Sequence, residues 1–456
     1  MKIFTNSQQI LCDTFTPIST FLCLRDTYAN VSLFESSDYS SKSDSHSFIG
    51  VNPIVTIQQK NEVAELRIKG ELEDKRPVSS AIDLQKLKSK FIFTDNSNVH
   101  QNGFFGVIGY NAVQLFEDIE LTEKDQDLPD IFLAAYEFVL VFDHFHNQLT
   151  ILHNSFDFET NNLPLILKAL NKDIKKSGDF TILREIESSE TDESFKKKVE
   201  IVKEHILKGD VFQLVLSRQF YQNFKGDDFE VYRQLRTINP SPYMFYFDLD
   251  KAKLIGASPE AQIKVTSGLA EIHPIAGTVR KTADTERNLM KIKELKSDAK
   301  ENAEHIMLVD LARNDLNRYC QGVKVQKLKE VQSFSHVIHL VSLVTGQLNS
   351  DSSLDVFGGS FPAGTLSGAP KFRAMELIDK YENVSRNFYG GAIGLLAANG
   401  DVNMAIVIRT ALSHQGKLTY QAGAGIVHDS TAEGECQEVY NKVKAVQTAI
   451  TKASKS

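Results

Sequence analysis

Residues 390–427 read GGAIGLLAANGDVNMAIVIRTALSHQGKLTYQAGAGIV, and their pattern decides the fold class. Apolar runs rich in Ile, Leu, Val and Ala are broken by Asn399-Gly400-Asp401 and His414-Gln415-Gly416, which are turn residues. Strands joined by such short turns pair antiparallel, because a parallel partner needs a long crossover. A helical pattern follows at once in DSTAEGECQEVYNKVKAV.

Working outward, the first half of the chain carries further strand-like runs: EVAELRIKG, GFFGVIGY, and FLAAYEFVLVFDHFHNQLTILHN with a turn at His146-Asn147. The polar stretch after residue 176 marks a boundary between an N-terminal region, 1–175, and a second region, 190–452, that share one sandwich. Beyond it Phe195, Val199, Val202 and Ile206 fall at helical spacing, and Gly209 is placed to end that helix. Strands resume in FQLVLSRQFYQNF, PYMFYFDLD, KLIGASPEAQIKVTS and LAEIHPIAGT. Helices interrupt the strands without regular alternation, so a doubly wound sheet is disfavoured. The expectation is α+β: two largely antiparallel sheets in a sandwich flanked by helices.

Bulk composition narrows the function. The chain has 456 residues and a net charge of −8, with no basic stripe to neutralise nucleic-acid phosphates. No apolar run approaches the ~18 residues needed to span a bilayer, and no signal-peptide order is present at the start. Cys12, Cys23, Cys320 and Cys436 are scattered, which reads as reduced thiols in a cytoplasmic protein. Tryptophan is absent.

Two Glu-x-x-Glu pairs sit on predicted helices more than a hundred residues apart: Glu301/Glu304 and Glu435/Glu438. Residues three apart share a helix face. Two such faces opposed across a cleft could cage a hard divalent cation in oxygen ligands. Competing readings are local: Asp298-x-x-Glu301 and Ser430-x-x-Glu433 resemble capping boxes, and Glu438 with Lys442 makes an i,i+4 ion pair. Gly364–Lys371 (GTLSGAPK) opens a helix and could hold an anion, while Gly423-Ala424-Gly425 ends a strand with small residues that admit a ligand to the backbone. Arg409 interrupts an apolar strand and needs a carboxylate, internal or from a ligand. His339 lies in another apolar run.

These segments carry a resemblance. VFQLVLSR, NPSPYMFY, GASPE, PIAGT, AEHIMLVDLARNDL, VIHLVS, PAGTLSGAPK, FYGGAIG, IRTA, GAGIVHDS and E-x-x-E-x-x-x-K occur in the order and spacing of the chorismate-utilising enzymes, densely from about residue 190 to 450. Within them the chain is most similar to the large subunit of anthranilate synthase. The resemblance implies Mg²⁺ held directly by Glu304 and Glu438, with Glu301 and Glu435 acting through water. It implies that Gly277, Thr278, Gly423, Ala424, Gly425 and Lys442 help hold chorismate, whose enolpyruvyl carboxylate would meet Tyr389 and Arg409. Glu260 corresponds to the general acid for the departing 4-hydroxyl, and His339 and Thr365 to positions that serve the later elimination.

Gln213 stands where water-adding relatives carry a lysine base. Water, with a pKa of ~15.7, needs that base, whereas ammonia brings its own lone pair. Ala276 replaces the lysine that many aminodeoxychorismate synthases carry in the PIxGT motif. The resemblance therefore implies amination of chorismate to 2-amino-2-deoxyisochorismate and loss of pyruvate to give anthranilate, the committed step toward tryptophan. Aminodeoxychorismate synthase is the alternative. No G-x-C-x-G nucleophile elbow surrounds any cysteine, so a glutamine amidotransferase subunit would supply the ammonia. Glu35-Ser36 and the NPSPYMF segment resemble a tryptophan feedback site lined by Ser36, Pro242, Tyr243 and Met244, with His46 standing where a Lys or Arg is common.

Overall fold

A computed structural model describes residues 1–36, 45–94, 100–122, 127–172, 177–282, 284–333, 337–349 and 353–455. Its frame is one long antiparallel ribbon. His46–Lys60 pairs with Ile131–Asp143 from His46↔Asp143 to Gln59↔Ile131. The two halves of the ribbon belong to different sheets. Beside Phe48–Gly50 the pairing continues through Ser32–Glu35, Tyr243–Asp248, Ala252–Ser258, Thr410–His414, Lys417–Ile426 and Gln213–Gly226. Beside Ile131–Ala134 it continues through Gly103–Ile108, Ala392–Ala397, Val402–Ile406, Ala261–Thr266, Leu269–Ile272, Val337–Leu348 and Cys320–Ser333. Every pairing in these two series is antiparallel, as the short turns require. Strands before and after the polar stretch at 177–194 are interleaved in both sheets.

Alternation along the strands builds the interior. Phe105, Phe132, Tyr136, Phe245, Phe247, Leu254, Ile393 and Ala405 form a cluster drawn from both sheets. Helices cover the outer faces. Asp192–Leu207 buries Phe195, Val199 and Val202 as its period predicts, and Gly209 follows it at φ +80°. Ala432–Ala453 buries Cys436, Val439, Val443, Val446 and Ile450, a continuous i, i+3/i+4 stripe over about four turns. Ala299–Asn317 covers the other sheet, with Val309, Ala312 and Leu316 in its core.

The structure departs from the sequence reading at several local points, and the runs KLIGASPEAQIKVTS and NMAIVIRTAL, read as single strands, each break in two, at Glu260 and at Arg409. Pro17–Arg25 is a helix within the strand-rich first half, opened by Thr16 and Ser19 bonding reciprocally. Cys320–Ser333 is a strand whose Lys-rich, mostly exposed pattern hides its period. The cap of Ala432–Ala453 is Thr431, which accepts from the Gly434 N–H at 3.2 Å, and not Ser430, whose hydroxyl accepts from Val427 N–H. The four cysteines are free and buried. Among the described residues, no helix is long and apolar enough to cross a membrane.

Candidate active site

Two crossings between the sheets create the site. The chain leaves Ala252–Ser258 in one sheet and enters Ala261–Thr266 in the other, with Glu260 on the step between them. It returns from Val402–Ile406 to Thr410–His414 with Arg409 on the step. The crossings lie side by side, since Ile406 N–H donates to Glu260 O at 3.0 Å and Ala257 N–H to Arg409 O at 3.3 Å. Arg409 makes its turn at φ +52°, outside the region most side chains prefer.

Glu260 keeps a partial opening to the cleft but is otherwise walled by protein. That burial pushes its carboxyl up to about 7, against the opposing pull of Thr365 and of the Lys442 charge. Thr365 Oγ1 stands 3.5 Å from Glu260 Oε1, a long contact. Burial also disfavours the charged form of Arg409, with Tyr389 the one group set against it. Among the described residues no carboxylate pairs with this guanidinium, so an internal ion pair does not account for it.

Behind the crossings, His339 lies opposite Thr278 across a bulge at Gly277. Burial holds the imidazole below its ordinary range; a hydrogen bond to the Gly277 backbone opposes that shift and the Arg409 charge adds to it. Gly277 takes φ +75°, and a Cβ there would come within 2.8 Å of Leu295 and 3.3 Å of Glu301 Oε2. The Glu301 carboxylate therefore overhangs this bulge. The side chain of Thr278 lies outside the described residues.

The facing wall is Lys417–Ile426. A Cβ on Gly423 would meet Leu216 O at 2.8 Å and the Tyr389 hydroxyl at 3.0 Å; one on Gly425 would meet Gln213 Nε2 at 2.7 Å. Ala424 points the other way, into the helix-covered core, and offers the cleft only its backbone. Lys442 Nζ donates to Gly423 O at 2.9 Å. Tyr389 is buried, which raises its phenol well above the ordinary range.

The local readings of Asp298 and of Glu438 both hold. Asp298 caps its helix by accepting from Glu301 N–H at 2.9 Å, which engages the Glu301 backbone and not its carboxylate. Glu438 Oε1 does pair with Lys442 Nζ, at 2.7 Å. Glu304 Oε1 accepts from Gln213 Nε2 at 3.3 Å, and Glu435 is buried. Among the described residues, no three acid, His or Cys side chains are gathered closely enough to hold a metal ion. The donors are nonetheless all carboxylate oxygens, a set that fits a hard dication such as Mg²⁺ and suits zinc poorly.

The segments read as an effector site also adjoin. Met244 pairs with Glu35 in register, and Ser36 follows directly. Glu35 accepts from Tyr232 Oη at 2.5 Å and from Arg236 Nε at 3.0 Å. Met244 is buried, while Pro242 and Tyr243 are partly open. Tyr243–Asp248 continues by a hairpin into Ala252–Ser258, the strand that delivers Glu260.

Sequence reasoning passed over one ion pair beside the cleft. Lys371 Nζ bonds Asp315 Oδ2 at 2.9 Å and Ser360 O at 3.1 Å, tying the Thr365 loop to Ala299–Asn317. The lysine at the end of GTLSGAPK was its visible trace.

The chain is similar to known proteins along nearly its whole length. The family described as chorismate binding enzyme matches residues 34–448. Anthranilate synthase component 1 of Aquifex aeolicus is 37% identical, the alignment covering 98% of this chain and 94% of that protein. The crystal structure of anthranilate synthase component I from Streptococcus pneumoniae superimposes with a TM-score of 0.77 at 32% identity, covering 97% of this chain and 99% of that one. The menaquinone-specific isochorismate synthase of Escherichia coli, at 17% identity and a TM-score of 0.76 over 98% and 94% of the two chains, shares the fold. The chain belongs to the chorismate binding enzymes, in the family of anthranilate synthase component 1.

Proposed function

We propose that this protein converts chorismate and ammonia to anthranilate, pyruvate and water. The observation that carries the reading is the pair of adjacent crossings, whose hydrogen-bonded backbones deliver Glu260, with its carboxyl pushed up to about 7, and Arg409, a part-buried guanidinium that no carboxylate among the described residues pairs with. Arg409, with Tyr389, receives the enolpyruvyl carboxylate of the substrate. Glu260 donates its proton to the departing 4-hydroxyl as ammonia adds at carbon 2. His339 and Thr365 then serve the loss of the carbon-2 proton and of pyruvate. Gly277, Thr278, the backbone of Gly423–Gly425 and Lys442 hold the ring.

Gln213 supports ammonia as nucleophile, because an amide on this wall can orient a small donor but cannot take a proton from water. Glu304 and Glu438 would hold Mg²⁺, with Glu301 and Glu435 bonding its waters; when bound, the ion fixes and polarises the ring carboxylate. The ammonia comes from glutamine through a separate amidotransferase subunit, and the enzyme works in the cytoplasm. Tryptophan, bound by Ser36, Pro242, Tyr243 and Met244, inhibits by acting on the strand pair that ends at Glu260.

Incubation of the purified protein with chorismate, Mg²⁺ and ammonium tests the core of this reading. Fluorescent anthranilate and pyruvate are expected in equal amounts. Isolation of 4-amino-4-deoxychorismate would overturn the branch, and turnover in excess chelator would remove the metal.

A further inference from the structure

The mechanism above leaves unused a buried ion pair on the far side of Tyr389. Glu382 and Arg386 are 5% and 3% exposed. Arg386 bonds both oxygens of Glu382, at 2.6 and 2.8 Å. Two of its remaining N–H groups donate to Leu366 O at 2.7 Å and Val215 O at 2.9 Å. The guanidinium carbon lies 5.6 Å from the ring centre of Tyr389, and Arg386 O accepts from Tyr389 N–H at 2.8 Å. Glu382 Oε1 in turn accepts from Ser217 N–H at 2.7 Å and from Ser217 Oγ at 2.6 Å.

Each contact ends one residue or one register position from a group given a role above. Leu366 follows Thr365. Val215 lies opposite Gly425 and Ser217 opposite Gly423. A buried ion pair seldom adds net stability over apolar residues of the same shape, because desolvation offsets the attraction. What a planar five-donor fork supplies is fixed geometry to several acceptors at once.

We infer that Glu382 and Arg386 are positioning residues that hold the Thr365 loop, the Gly423–Gly425 wall and Tyr389 in one register, so that amination and pyruvate loss occur in the same closed site. This rests on the function proposed above and extends it to the coupling of the two steps. Arg386→Lys keeps the charge beside Glu382 but cannot reach both carbonyls. The pair of changes Glu382→Gln with Arg386→Met keeps an acceptor for Ser217 and removes both charges.

Both variants are assayed with chorismate, Mg²⁺ and ammonium for kcat, KM, melting temperature and the fraction of aminated intermediate released before pyruvate is lost. The expected result is a folded protein with kcat reduced at least tenfold and a released-intermediate fraction several times that of the parent. A folded variant with kcat within twofold and no extra intermediate would overturn the inference. So would failure of both variants to fold, which would make the pair structural. If the parent protein itself makes a different product, the functional reading fails, and the pair is judged on kcat for that product.

Discussion

Replacing Arg409 with Met separates binding from folding more cleanly than any other change in the site. Both side chains carry a Cβ, so the strain at φ +52° is the same before and after and cancels. Met also fills much of the space of the arginine stem. A bidentate carboxylate contact is lost, with each charge-assisted bond contributing about 1.5–3 kcal/mol. Taking the lower bound for two bonds gives about 3 kcal/mol, or roughly 100-fold in kcat/KM for chorismate. The free protein should respond in the opposite direction. Its guanidinium sits among protein atoms that disfavour its charge, and among the described residues no carboxylate compensates it. Several kcal/mol is typical for a fully buried ion. Arg409 keeps a partial opening, so we expect a gain of about 1–2 kcal/mol in unfolding free energy. Thermal denaturation of ligand-free protein, beside initial rates over a chorismate series, reads both effects. Loss of the Arg409 charge should also let the His339 pKa rise, visible in the pH titration of its ring resonances. A variant that is less stable than the parent, or that keeps its KM and kcat, would refute the assignment of an open carboxylate pocket.

Glu260→Gln should abolish turnover, and in the parent kcat/KM should fall as pH rises through about 7. The stability effect has a definite sign: the folded-state value lies above the ordinary 4.5, so the contribution is fully present below about 4.5 and is lost as pH rises through about 7. The glutamine variant lacks that loss, so urea titrations should show it gaining on the parent by roughly 3 kcal/mol across that window; parallel curves would contradict it. Gly423→Ala and Gly425→Ala should differ, because the first Cβ meets the Leu216 carbonyl and the second meets only the movable end of Gln213. We expect the first to lower stability by about 1–3 kcal/mol and the second to lower activity with little change in melting; equal melting temperatures would refute this. Because the chain contains no tryptophan, added tryptophan is the sole indole in a sample, and its emission reports binding directly. Ser36→Phe should remove that signal together with inhibition, and inhibition that survives would place the effector elsewhere.

Sequence alone could name the acids and the glycines but not the relation among them, and the reason is physical. Period and turn chemistry are local, so the hairpin at Asn147 and the helix from Asp192 to Leu207 were legible from neighbouring residues. The strand Cys320–Ser333 was not, because an exposed, Lys-rich sheet edge carries little apolar alternation. The helix cap was misplaced by one residue because Ser430 completes the Ser-x-x-Glu pattern with Glu433, whereas Thr431 has Gly434 at that offset and caps through its N–H alone. The decisive feature is less local still. Glu260 and Arg409 are 149 residues apart in the chain, and what joins them is two backbone hydrogen bonds between neighbouring crossings. Neither crossing has a periodic signature, since a chain changing sheets follows no repeat. The same logic applies to Lys442. At i+4 from Glu438 it looks like a solvated helix pair, and that pair exists. Yet its amine also bonds Gly423 O and pulls on Glu260 from across the cleft. Any cation or substrate that takes Glu438 from Lys442 would free that amine to act on Glu260 and the ring. Local electrostatics at the helix surface and the chemistry at the crossing are therefore coupled through one side chain.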